Sequence, residues 1–120
     1  MFLFTFHAQV NPKAKLAERF NDVGGAYISC YINFKDYEAS EKLARLLIKE
    51  QGWILKAKTD ECVMLKKYCK TKKHLQYYSE AIKFGYTLVF DMYPKDAEDA
   101  DVDYEAGERK RRKVNAKAQK

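Results

Sequence analysis

The chain has 120 residues, 47% hydrophobic and 33% charged, with a formal net charge of +6. That length suits one domain large enough to bury a core without metals or disulfides. No apolar run approaches the roughly 20 residues that a membrane-spanning helix needs. Residues 1–7 lack the positive stretch and small-residue cleavage site of a secretory signal, so a cytoplasmic location is expected. Three cysteines, Cys30, Cys62 and Cys69, form no CxxC pair, which fits reduced thiols better than a disulfide framework.

Phe2, Phe4, Phe6, Ala8 and Val10 alternate with Leu3, Thr5, His7 and Gln9, which predicts a half-buried first strand. Asn11 and Pro12 then suit the start of a short helix with Leu16 and Phe20 on its apolar side. The pair Gly24 and Gly25 reads as the turn that follows it. A second strand over residues 26–34 places Ala26, Ile28, Cys30, Ile32 and Phe34 on a core face and Tyr27, Ser29, Tyr31 and Asn33 on the other.

Asp36 is a suitable N-cap for a helix with Tyr37, Ala39, Leu43, Leu46 and Leu47 at helical spacing, and Gly52 suits its end. Trp53 re-enters the core. Residues 54–59 and 62–65 read as two short strands across Thr59, Asp60 and Glu61, with lysines that mark an outer strand. Residues 66–73 read as a basic loop. Thr71 caps a further helix carrying His74, Leu75, Tyr78, Ala81, Ile82 and Phe84, closed by Gly85, and a last strand over residues 86–93 ends at Pro94.

Residues 95–108 hold seven acidic side chains against one basic, and residues 109–120 hold seven basic ones and no acid. Residues 1–94 are therefore expected to be a single α+β domain and residues 95–120 a partly disordered charged tail, acidic then basic. The expected architecture is a two-layer sandwich, loosely ferredoxin-like, with an antiparallel or mixed sheet of four or five strands and two main helices on one face.

The order of motifs resembles that of a family of small, uncharacterised bacterial α+β proteins. The features that carry the resemblance are the aromatic strand at residues 2–7, Gly24-Gly25-Ala26-Tyr27 leading a strand with Cys30, Gly52-Trp53 ending a helix, Tyr77-Tyr78 in a helix, and Tyr93-Pro94 closing an aromatic strand. The resemblance covers most of residues 1–94. It implies a fold and a bacterial origin, and no activity.

No nucleophile elbow, glycine-rich phosphate loop or metalloprotease motif is present, so no catalytic residue and no cofactor is assigned. Cys62, Cys69 and His74 have a spacing unlike zinc-ligand pairs and lack a fourth ligand, so no metal site is assigned either. The first expectation is a non-enzymatic module that binds a protein or a second copy of itself through a sheet edge or the face bearing Tyr27, Ser29, Tyr31 and Asn33. The alternative is nucleic-acid binding through Lys66, Lys67, Lys70, Lys72 and Lys73 with Arg109, Lys110, Arg111, Arg112 and Lys113 of the tail, since amines neutralise phosphates and rings stack on bases. A third is a small-molecule site or enzyme near His7 and Tyr31, which lie on one side of their strands.

Overall fold

A computed structural model describes residues 1–95. The tail beyond them, with Arg109, Lys110, Arg111, Arg112 and Lys113, lies outside the described residues. The chain forms β1 (Phe2–Val10), α1 (Leu16–Arg19), β2 (Val23–Ile32), α2 (Tyr37–Glu50), β3 (Trp53–Val63), a 3-10 turn (Lys66–Tyr68), α3 (Lys72–Phe84) and β4 (Tyr86–Pro94). The four strands make one open sheet in the order β3-β1-β2-β4, and every neighbouring pair is antiparallel.

The central pair sets the faces. Phe4 lies opposite Cys30, Phe6 opposite Ile28 and Ala8 opposite Ala26, and all six are fully buried on one side of the sheet. Leu3, Thr5 and His7 pair with Tyr31, Ser29 and Tyr27 on the other side. A strand alternates faces at every residue, so this one register assigns every side chain of β1 and β2.

Helix α2 covers the apolar face. The Asp36 carboxylate accepts a hydrogen bond from the Ala39 N–H at 2.9 Å, capping the first turn. Gly52 takes a φ of +96° just past the helix end, a conformation that an L side chain would strain. The buried stripe of α2 is Ser40, Ala44 and Ile48, flanked by Leu43 and Leu47. Tyr37 and Leu46, expected on the apolar side, are exposed. Small side chains at Ser40 and Ala44 let the helix settle close to the sheet. The Ser40 hydroxyl donates to the Asp36 carbonyl at 2.7 Å, so its burial leaves no donor unpaired.

Three further expectations are corrected. Gly24 and Gly25 belong to β2 and form no turn. Residues 53–63 make one long strand with register shifts opposite Thr5/Phe6 and His7/Ala8, so Thr59, Asp60 and Glu61 lie within it. Phe34 falls beyond the end of β2 and is exposed.

The two principal helices also occupy opposite faces. Tyr31 points away from Cys30 and Ile32, and its ring centroid lies 5.9 Å from that of Tyr77 in α3. The Thr87 hydroxyl, on the same side as Tyr31, donates to the Tyr77 carbonyl at 2.9 Å. At 1.5 Å per residue α3 is about 20 Å long, enough to cross three strand spacings of about 4.8 Å from the end of β3 to the start of β4. Two helices on one face would have left Tyr31 uncovered. The fold is thus α+β with an antiparallel four-stranded sheet. Of the ferredoxin-like pattern it shares a split β-α-β unit, in which β2-α2-β3 brackets β1.

Gly25 gives the sharpest packing test. A Cβ there would sit 2.5 Å from the Tyr93 hydroxyl oxygen and 2.7 Å from the Ala8 carbonyl oxygen. Gly25→Ala is expected to destabilise the fold by about 1–3 kcal/mol, the range for overpacking, seen as a lower urea midpoint with an unchanged slope. Adding Tyr93→Phe recovers only part of the loss, because the Ala8 carbonyl remains. An unchanged midpoint in Gly25→Ala would refute the close packing.

Candidate functional site

The residues expected to form one polar patch fall into two groups. His7 stacks on Tyr27 with centroids 4.8 Å apart, and its Nε2 is hydrogen-bonded to the Tyr93 hydroxyl at 2.5 Å. Tyr93 is itself only 2% exposed. Tyr31 sits four residues along β2 from Tyr27, about 13 Å at the usual strand rise, and is 4% exposed beneath α3. Burial first, then the nearby Cys69, pushes its phenol up to about 12. Ser29 lies between these groups, and exposed Asn33 donates its backbone N–H to the Gly85 carbonyl at 2.9 Å. The structure therefore does not bring His7 and Tyr31 together.

Other polar constellations are structural in their chemistry. Burial pushes the Cys30 thiol up to about 12, and burial with Asp60 nearby raises Cys62. An activated thiol nucleophile needs the opposite shift. Among the described residues no three His, Cys, Asp or Glu side chains converge as metal ligands, so Cys62, Cys69 and His74 do not form a cluster. Two grooves are described. One, of about 490 Å³, is lined by Val10, Phe20, Asn21 and Lys95 among others, and one of about 330 Å³ by Tyr37, Glu41 and Arg45 among others; neither reaches His7 or Tyr31.

Lys58 of β3 is the hub of an ion-pair network with α2. Its Nζ donates to Glu41 Oε1 at 2.7 Å, to Glu61 Oε1 at 2.5 Å and to the Tyr37 hydroxyl at 3.2 Å. Arg45 Nε donates to the other oxygen of Glu41 at 2.9 Å. The hydrogen bond to Glu41, then those to Glu61 and Tyr37, raise the Lys58 pKa. A lysine base or Schiff-base nucleophile needs a lowered one. This network clamps α2 to β3.

The surface with unspent chemistry is one end of the sheet. Val63, Phe2, Ile32 and Tyr86 form a single rung across β3, β1, β2 and β4. Just beyond it the Met64 N–H donates to the Met1 carbonyl and the Asn33 N–H to the Gly85 carbonyl. Phe34, Tyr68 and Phe84 project from this end with 53%, 50% and 66% of their surface exposed, and Val63, Leu65 and Tyr86 are exposed beside them. Lys66, Lys67, Lys70, Lys72 and Lys73, singled out in the sequence, lie between the end of β3 and the first turn of α3 and are all exposed, as are Lys35, just after β2, and Lys83, near the end of α3. The Lys67 ammonium lies 5.6 Å from the Tyr68 ring centroid and that of Lys83 lies 5.2 Å from the Phe84 centroid.

Sequence reasoning found the lysines and Tyr68 but assigned Phe34 and Phe84 to apolar faces. The available signal was adjacency, since Phe34-Lys35, Lys67-Tyr68 and Lys83-Phe84 each place an amine next to a ring. Both phenylalanines lie at element ends, where the period of the element no longer decides exposure.

The chain matches no family model, no curated protein and no solved structure. Among the described residues no helix is long and apolar enough to cross a membrane.

The clamp predicts a pH dependence. Hydrogen bonds from Lys58 and then Arg45 hold the Glu41 carboxyl below its ordinary value, so its contribution is present above the usual carboxylate pKa of about 4.3. It is lost as pH falls through the depressed value. Glu41→Gln is expected to lower the urea midpoint modestly at neutral pH, with the gap from wild type closing as pH falls below about 4. A gap that persists undiminished in acid would show that packing, not charge, carries the effect.

Proposed function

We propose that this protein is a non-enzymatic interaction module whose working surface is the end of the sheet bearing Phe34, Tyr68 and Phe84. The observation that carries the reading is the concentration there of exposed rings among exposed lysines. Aromatic side chains are the usual anchors of binding contacts, and here three of them are at least half exposed. The surface moves from the Tyr27, Ser29, Tyr31 and Asn33 face because Tyr31 is buried under α3 and Tyr27 is stacked on His7.

A non-enzymatic role is supported by the direction of the pKa shifts: every thiol and phenol whose value departs from the ordinary range is held protonated. The resemblance to small bacterial α+β proteins is consistent with this reading and brings no reaction with it.

The test is a chain with Phe34, Tyr68 and Phe84 all changed to serine, compared with Tyr27→Ala in affinity purification from the native host. The serine variant should keep its circular dichroism spectrum, because all three rings are at least half exposed, and should lose the partners that wild type and Tyr27→Ala retain. Identical capture by the serine variant would overturn the assignment of the surface.

A further inference from the structure

We infer that the partner of this surface is single-stranded nucleic acid, held by ring stacking between lysine contacts to its backbone. The inference rests on the interaction-module reading and names the chemistry that the surface would recognise.

Two features define what can bind there. The first is charge. Between Val63 and Tyr86 the chain holds six lysines against one acid, Glu80, and Glu80 lies within hydrogen-bonding reach of Gln76 along α3. Asp36, beside Lys35, is occupied in capping α2, and Glu61 is bound by Lys58 and Tyr37. Among the described residues these exposed amines make no salt bridge, the ion pairs being those of Arg45 and Lys58, and a polyanion is the complementary partner.

The second feature is the shape of the apolar groups. Of the exposed apolar residues Phe34, Val63, Leu65, Tyr68, Phe84 and Tyr86, at or beyond the last rung, four are rings. Phe34 and Phe84 sit on the β2/β4 side, joined through the Asn33 to Gly85 hydrogen bond, and Tyr68 sits on the β3 side, one turn after Leu65. The rung between them covers three strand spacings, about 14 Å, which is about four nucleotides at the stacked rise of 3.4 Å. Rings on the two sides of that rung, Tyr68 and Phe84 each with a lysine ammonium over the ring, match a strand whose bases are flat and whose backbone is charged. An acidic protein segment would satisfy the lysines without needing planar surfaces. Duplex DNA keeps its base faces internal, so stacking selects an unpaired strand. Such contacts use base faces rather than base edges, so little sequence preference is expected.

Fluorescence anisotropy of the full chain with fluorescein-labelled oligo(dT) and oligo(U), both of 12 nucleotides, tests this against a duplex of equal length. Both single strands should bind, at least roughly tenfold more tightly than the duplex. Changing Tyr68→Ala or Phe84→Ala should each weaken binding roughly 5- to 160-fold, the span expected of one base-stacking ring, while Tyr68→Phe, which keeps the ring, stays within about twofold of wild type. Lys67→Gln with Lys83→Gln should reduce the slope of log affinity against log salt by about 1.4, at 0.7 per phosphate contact on a single strand.

Equal affinity for duplex and single strand, or ring variants that bind as wild type does, would overturn the inference and leave only a charge effect. So would binding of poly-glutamate, or of vesicles of equal parts phosphatidylglycerol and phosphatidylcholine, with the same ring dependence and no binding of oligonucleotide. In that last case the interaction-module reading stands and its partner changes. Loss of partner selectivity in the serine variant without any oligonucleotide binding separates the two in the same way.

Discussion

Everything in this fold depends on the register of one strand pair. With Phe6 set opposite Ile28 and His7 opposite Tyr27, β1 and β2 present a continuous apolar surface on one side and a polar aromatic one on the other. A slip of one residue would exchange the two faces entirely. The apolar side accepts α2 through Ala44 and Ile48; the other gives α3 its anchor at Tyr31. Gly25 holds the same register from the far end, because only a residue without a Cβ lets Tyr93 lie across it against the Ala8 carbonyl.

Most local elements were legible because their signals are local. Alternation in residues 2–10, the Asp36 and Thr71 caps, and the glycines after α2 and α3 all act within a few residues of chain, and each is found in place. What failed depended on the distance of approach between elements. The leucines of α2 suggested one buried stripe, whereas the sheet accepted the neighbouring stripe of Ser40, Ala44 and Ile48. Gly24 and Gly25 resemble a turn when read alone; their role in β2 becomes visible only once β4 lies beside them. The side of the sheet on which α3 packs was likewise undecided by its own amphipathic pattern, since Leu75, Ile82 and Phe84 remain exposed while Ala81 is buried.

The candidate site was half legible for a related reason. Lysines stay at the surface wherever they fall, so Lys66, Lys67, Lys70, Lys72 and Lys73 could be read directly. Phenylalanines at strand or helix spacing are ordinarily core, and Phe34 and Phe84 escape that rule only because β2 stops at Ile32 and α3 at the residue before Gly85. The expected patch of His7 with Tyr31 shows the converse error. Both residues do lie on one face, yet position along the strand and coverage by α3 were beyond the reach of a two-residue period.

The pairing of ring and amine at the sheet end also has consequences for the unbound protein. An exposed ring with a lysine ammonium 5 to 6 Å from its centroid keeps a favourable contact in water, worth about 0.5–1 kcal/mol at an exposed site, and the charges discourage association between copies through this end. Any partner that covers Tyr68 or Phe84 displaces part of that contact and must replace it. A purely apolar partner would cover the rings but strand the amines beside it; a purely acidic one would satisfy the amines and leave the rings wet. Only a partner that brings a flat apolar surface and negative charge at matched spacing would complete both, and under the proposed role that joint requirement is the source of selectivity, since each contact alone is modest.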